Sequence, residues 1–361
     1  MDRIDYFEEF KKTSNTVKPI IKKYLGTISQ KQQGLYDTIL FLASKRMEKD
    51  VLLLKPFLIR LSYEITGGKD WEMIAPICAA AEIINISSYQ SNLSFDGKFG
   101  QTQLTDRSNQ FIASMVTREL ASDIAYDMKG ILELAQIEKI VQSFGESNKH
   151  IYVGQYYDLN VLVWKSYHLL NDFESYLRLY EERCENLSGF FSEQCAFIGG
   201  ILSRAGQKEV SALRTFGKNF GIGLHIANDI GDCVPRFLIK KGSLKESCDQ
   251  YADLRHGKLT LPIMHAYVFG NDCQRRFLEN IINRHAILAE EEVAKVLLQT
   301  GAFEYSKHLA KTYWKTARLS LRRFPISRER SLLSVMLSQL RSNKYFNFFQ
   351  RMSRGEFVER D

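Results

Sequence analysis

The chain has 361 residues, 45% of them hydrophobic and 25% charged, with a formal net charge of +7. This is ordinary globular composition with enough chain to bury a core without staples, which excludes collagen-like, disordered and disulfide-scaffold classes. No run of about 18 apolar residues occurs, so no membrane span is expected, and the charged N-terminus MDRIDYFEEFKK has no signal-peptide apolar region.

In chain order, apolar spacings of three and four predict helices over 36–47, 51–65, 72–92, 108–143, 156–182, 188–204 and 207–232. They continue over 259–268, 275–285, 291–320 and 329–349. Only six prolines interrupt the chain, and long proline-free spans suit helices because an interior proline removes a hydrogen bond and clashes with the turn before it. Breaks are expected at Gly67-Gly68, 97–100, 145–148 and 204–207. No alternating strand pattern of useful length is present, nor an internal repeat. The expectation is all-α: one helical domain over 30–320, an N-terminal helical extension over 1–29 and a basic helical segment over 321–361.

The six cysteines form no CxxC and no zinc spacing, which fits free thiols in a reducing, cytoplasmic setting. The densest basic stretch, RLSLRRFPISRER at 318–330, fits a solvated helix end, an anionic surface or a phosphorylated ligand. No zinc-finger, RNP-like or helix-turn-helix signature supports nucleic acid.

Two apolar helices carry polar stripes. In IAPICAAAEIINISSYQSNLSFD (74–96), Asn85, Ser88, Asn92 and Asp96 share one face. In GLHIANDIGD (223–232), His225, Asn228, Asp229 and Asp232 do the same among Leu224, Ile226, Ala227 and Ile230. A buried carboxylate needs a counter-ion or a metal, because desolvating it alone is costly. Asp and Asn oxygens suit a hard cation such as Mg²⁺. A hydrogen-bonded patch or an ion pair between helices accounts for the stripes equally well.

A third segment, DLRHGKLTLPIMHA (253–266), together with GQYYDL (154–159) and GIGLHIANDIGD (221–232), resembles the trans-isoprenyl diphosphate synthase (polyprenyl synthetase) family. Gly257, Lys258, Thr260, Leu261 and Pro262 match the family's G-K-x-T-L-P, and 154–159 matches G-Q-x-x-D-L. The second segment matches the second aspartate-rich motif. The resemblance covers roughly residues 30–320. It implies a helical bundle around a deep central cavity, in which an allylic prenyl diphosphate is held through Mg²⁺ and ionised, and isopentenyl diphosphate attacks the cation. It implies Asn92, Asp96, Asn228, Asp229 and Asp232 as metal ligands, with Asp229, Asp232 and Lys258 as the catalytic set. Lys258, Gln155, Asp158, His225, Ser88, Tyr89 and Thr260 are the implied substrate contacts. Tyr89, Phe95, Tyr156 and Tyr157 are candidates to line the cavity and steady a cation through their ring faces, or else to pack in the core. His225 is either a base for the final proton or a satisfied core histidine.

The sequence departs from the family in a patterned way. In the first aspartate-rich motif Asn92 and Leu93 replace the leading aspartates, and only Asp96 remains. The arginine pair that follows it would fall at Gln101 and Thr102. The segment DVLLLKP (50–56) puts Leu52 and Leu53 where the isopentenyl diphosphate site has a lysine and an arginine, leaving Lys55 and Pro56. Lys49 and Arg107 are candidate replacements, and the lysine-threonine motif would fall near Asn186-Leu187. The second motif also brushes a metal motif of class I terpene cyclases, through Asn228 and Asp229 with Arg236 where a glutamate is usual.

Three functions follow. The favoured one is Mg²⁺-dependent ionisation of a prenyl diphosphate without isopentenyl diphosphate, as in a terpene synthase. The alternatives are a non-catalytic subunit of a heteromeric synthase and a chain-elongating synthase with unusual ligands. The expected partners are the prenyl diphosphate and a second subunit, in a homodimer or in a heterodimer with an active synthase.

Overall fold

A computed structural model describes residues 3–29, 32–48, 51–96, 106–169, 172–235, 251–283 and 288–341. Among them there is no β-strand, only the isolated bridges Lys129–Leu132 and Val163–Lys258. The fold is all-α, as the periodicity predicts. The described chain forms two compact units: residues 1–151, 190–218 and 318–336, and residues 152–189, 219–317 and 337–361.

The first unit contains α1 (Arg3–Ser29), α2 (Gln33–Met47), α3 (Leu54–Ile65), α4 (Ala75–Asp96), α5 (Arg107–Asp127) and most of α6 (Leu134–Tyr156). It also contains α8 (Phe190–Leu202) and the first half of α9 (Gln207–Asp232), while α7 (Phe173–Cys184) belongs to the second unit. Side-chain caps fix the helix starts: Gln32 accepts from the Leu35 amide and Asp106 from the Asn109 amide. The run Ala79, Ala80, Ala81 in α4 is fully buried, and these small residues let α5 pack along it. Helix α3 packs on α8. Helix α1 packs on α2, α3 and α4, burying Tyr6, Val17, Ile21 and Leu25, and its Phe10 ring stacks on Phe57 at 4.5 Å.

The second unit contains α7 (Phe173–Cys184), the rest of α9, α10 (Ala252–Arg255), α11 (Leu261–Phe269), α12 (Asp272–Ile282), α13 (Glu290–Gln299) and nearly all of α14 (Ala302–Ser320). Asp172 caps α7, an Asn271–Gln274 capping box starts α12, and Pro262 sits at the start of α11, where a missing amide hydrogen costs nothing. Tyr176, Tyr180 and Trp314 form part of its buried core. The last described helix, α15 (Arg328–Arg341), lies in the basic C-terminal stretch.

Four helix expectations differ from the structure. The span 108–143 is two helices, α5 and α6, separated by a turn through Met128–Leu132. The break expected at 145–148 is absent: α6 runs through Gly145, where open space surrounds the backbone and i→i+4 bonding is uninterrupted. The span 156–182 is a π-helical turn (Tyr157–Val161), a 3₁₀ stretch (Trp164–Leu169) and then α7. The span 291–320 is divided at Thr300-Gly301 into α13 and α14.

Candidate functional site

Four residues from four elements of the second unit meet in a buried ionic chain. Asp158 lies on the π turn after α6, Arg183 in the last turn of α7, Asp229 on α9, and Lys258 just before α11. The Arg183 guanidinium donates to Asp158 through Nε and to Asp229 Oδ2 through a terminal nitrogen at 3.0 Å. Lys258 Nζ lies 3.4 Å from Asp158 Oδ2 and 3.4 Å from Asp253 Oδ1. The Tyr180 hydroxyl donates to Asp229 Oδ2 at 2.8 Å. His225 Nε2 lies 3.8 Å from Asp229 Oδ1, beyond hydrogen-bond reach, and has no hydrogen-bond partner among the described residues.

The electrostatics follow from this geometry. Burial alone would raise the Asp158 carboxyl, but the charges of Arg183 and Lys258 outweigh it and hold its pKa below the usual value. Burial would lower Arg183, yet Asp158 and Asp229 lift it well above the ordinary guanidinium range. Burial, and then the charge of Asp229, push Tyr180 well up, so its hydroxyl keeps the proton that it donates. Burial pulls His225 down despite the nearby Asp229, which favours the neutral ring.

Two motif glycines explain how the backbone reaches this arrangement. A side chain on Gly154 would place its Cβ 2.5 Å from Leu187 Cγ and 2.9 Å from the Leu187 amide, so only glycine lets α6 approach the π turn Glu185–Gly189 that follows Arg183. Gly257 has φ 69°, a left-handed turn that feeds Lys258 inward, and its carbonyl accepts from the Trp164 amide at 2.7 Å. The motif spacing G-Q-x-x-D-L therefore encodes a close approach first and a carboxylate second.

Arg183 is the site residue that the sequence reading missed. The expected lysine-threonine position, Asn186-Leu187, lies within the π turn, and Asn186 Nδ2 bonds the Glu182 carbonyl instead. The cation stands one turn earlier, where YEERC reads as an ordinary charged helix end. The signal available was that Arg183 shares one helical face with Tyr176, Tyr180 and Cys184, a poor place for a solvated arginine.

The remaining candidates divide by unit. In the second, Gln155 and Thr260 are buried, and Gln155 Oε1 and Thr260 Oγ1 have no hydrogen-bond partner among the described residues. Asn228 is exposed and Asp232 half-buried. Tyr156 is 61% exposed and so does not line a dry cavity, because its position on α6 turns it to solvent. Tyr157 is held by a side-chain hydrogen bond with Glu182, and burial together with that bond push its hydroxyl up to about 12.

In the first unit, the Ser88 hydroxyl is returned to the Ile84 carbonyl of its own helix at 2.8 Å, so it is already satisfied. Tyr89 is half-buried, and Asn92 Oδ1 is buried without a hydrogen-bond partner among the described residues. Phe95 is half-buried and lies against Phe111, with ring centroids 5.8 Å apart. The side chain of Asp96 lies outside the described residues, as do Lys49, Gln101, Thr102 and Arg236. Arg107 is exposed at the start of α5. Leu53 is fully buried, and Lys55 is buried with its ammonium on the Ser192 hydroxyl at 2.6 Å and 5.1 Å over the Phe191 ring. Burial lowers the Lys55 pKa. The surviving lysine of the isopentenyl diphosphate motif is thus engaged in the core.

Among the described residues no group of three or more His, Cys, Asp or Glu side chains could hold a metal by itself. The second motif nevertheless fits a hard divalent ion as a partial ligand set. Asp229 Oδ1 accepts no hydrogen bond from His225, and Asn228 and Asp232 offer further oxygens on the same helical face. Mg²⁺ commonly takes one or two carboxylates and completes its shell with water and phosphate oxygens.

The described residues thus form an all-α frame in which carboxylates and cations gather in a buried cluster. The polyprenyl synthetase family model matches residues 110–300. A geranylgeranyl diphosphate synthase of Saccharolobus solfataricus is 28% identical over 134 residues, covering 37% of this chain and 38% of that protein. A short chain isoprenyl diphosphate synthase of Methanocaldococcus jannaschii is 23% identical over 305 residues, covering 80% of this chain and 83% of the other. The crystal structure of a geranylgeranyl pyrophosphate synthetase from Pyrococcus horikoshii has the same fold, with a TM-score of 0.74 at 20% identity over 94% of this chain and 99% of that one. The chain belongs to the polyprenyl synthetase family.

Proposed function

We propose that the protein is a prenyltransferase that elongates an allylic prenyl diphosphate with isopentenyl diphosphate. The observation that carries this reading is the buried chain Lys258–Asp158–Arg183–Asp229, formed by the segments that carry the family motifs. The curated relatives named above are prenyl diphosphate synthases, and this favours elongation over the terpene synthase-like ionisation expected from the sequence.

In this reading the carboxylates Asp158 and Asp229 hold Arg183 and Lys258 in place, and the two cations take oxygens of the leaving diphosphate. Arg183 offers a planar fork and Lys258 a point charge, so the first orients and the second neutralises. Mg²⁺, held by Asp229, Asp232 and Asn228, would add the positive charge that makes diphosphate a better leaving group. The allylic C–O bond breaks with its electron pair leaving on diphosphate. The double bond of isopentenyl diphosphate then forms the new C–C bond, and a proton is lost from the adduct. The Tyr180 hydroxyl, which donates to Asp229 Oδ2, fixes the orientation of that carboxylate. The protein works as a homodimer or beside a second synthase subunit.

A second reading, ionisation without isopentenyl diphosphate, draws support from one observation: Leu53 and Lys55 of the acceptor motif are buried. One experiment separates the two. The purified chain is incubated with Mg²⁺ and geranyl, farnesyl or geranylgeranyl diphosphate, each with and without isopentenyl diphosphate, and products and pyrophosphate are measured. Longer diphosphates formed only with isopentenyl diphosphate are the expected result. Pyrophosphate release without it supports the second reading, and no turnover with any substrate supports a subunit role.

A further inference from the structure

The second unit contains a cavity of about 510 Å³ beside the segment that carries Lys258. Leu159, Trp164 and Ile282 give it apolar walls, and Lys165, Arg255 and His256 give it basic ones. None of the described residues lining it is acidic. Its size lies in the range of about 300–1,000 Å³ usual for small-molecule sites. Apolar walls beside cations suit a ligand with a short hydrocarbon chain and an anionic head.

The cavity shares its wall with the proposed active site. The Trp164 amide donates to the Gly257 carbonyl at 2.7 Å, and the Leu259 amide donates to the Leu162 carbonyl at 2.8 Å. Val163 and Lys258 are thereby paired antiparallel. A Cβ on Gly257 would lie 3.3 Å from Trp164 Cβ and 3.6 Å from Ile282, so the wall has little slack. Trp164 and Gly257 line the cavity, while the Lys258 ammonium on the next residue meets Asp158 and Asp253. A ligand that shifts the Trp164 backbone therefore pulls on the Gly257–Leu259 segment that carries Lys258.

We propose that this cavity is an effector site for an amphipathic phosphate, an alkyl or prenyl monophosphate ester, and that its occupancy changes how Lys258 is presented to the diphosphate. The binding part stands on the cavity alone; the effect on rate rests on the elongation activity proposed above.

The test titrates geranyl monophosphate into the full chain without Mg²⁺ and follows Trp164 fluorescence, with Trp164→Phe identifying the signal. The expected result is a saturable change that decyl phosphate reproduces. It weakens at least tenfold in Lys165→Glu/Arg255→Glu and persists in Asp229→Asn. Equal binding by decyl phosphate and the prenyl ester identifies the alkyl phosphate as the recognised group, and preference for the prenyl ester identifies the isoprenoid chain. An unchanged signal in the double variant overturns the site, as does an equal response to inorganic phosphate alone. Where elongation is measurable, the ester should change the rate in the parent and not in the double variant, whose basal rate is kept. Loss of all activity with binding intact would fault the proposed reaction and leave the site standing.

Discussion

At the scale of single residues, Arg183 organises the site because it answers two buried carboxylates at once. Breaking a buried ion pair from one side leaves an uncompensated charge and costs about 3–5 kcal/mol. Arg183→Leu is therefore expected to lower unfolding stability by about that amount in urea titration, whereas Lys55→Met, a shape-conserving change at a lysine whose charge burial already disfavours, should cost less. Stability should also depend on pH through Asp158. Its folded pKa is depressed, so the unfolded chain binds more protons as pH falls below about 4. The contribution is present above the unfolded value and is lost as pH drops through the folded one; Asp158→Asn should flatten that acid limb. His225 acts higher on the scale. Its folded pKa is lowered, so the unfolded chain takes up a proton first as pH falls below about 6.5 and stability declines there. His225→Phe should remove that decline, and identical melting curves of parent and variant between pH 5 and 7 would refute the assignment.

At the scale of elements, the site depends on two π-helical turns, Tyr157–Val161 and Glu185–Gly189. Each adds a residue to a helical turn and so re-aims the side chains next to it; such bulges recur at functional sites. One carries Asp158 and the other directly follows α7, whose last turn carries Arg183. Gly154 joins them by close approach to Leu187. Gly154→Ala should overpack this contact and cost about 1–3 kcal/mol, with a larger loss of turnover than of stability because Asp158 and Arg183 would separate. Equal activity in parent and variant would show that the two turns do not need this spacing. Apolar periodicity gave little warning of the π turns, since an extra residue per turn shifts the phase without changing composition.

At the scale of the whole molecule, four of the described cysteines (Cys78, Cys184, Cys195 and Cys233) are buried and Cys273 is exposed. Burial raises the thiol of Cys195 to about 12 and those of Cys78 and Cys184 further. Native protein should therefore react quickly at Cys273 with a thiol reagent, while these four react only on unfolding; rapid native labelling of Cys184 would contradict the packing of α7. By itself the sequence determined the all-α class and the family, and it singled out Asp158, Asp229 and Lys258 as candidates. Helical periodicity and short motifs are local properties, and the G-K-x-T-L-P and G-Q-x-x-D-L segments are intact. Only the tertiary structure decided what those residues face. That Asp229 meets Arg183 and Tyr180, that Lys55 is spent on Ser192, and that Tyr156 points to water all depend on contacts between residues far apart in the chain. A charge's partner is set by which helices pack together, and no spacing within one helix records that choice.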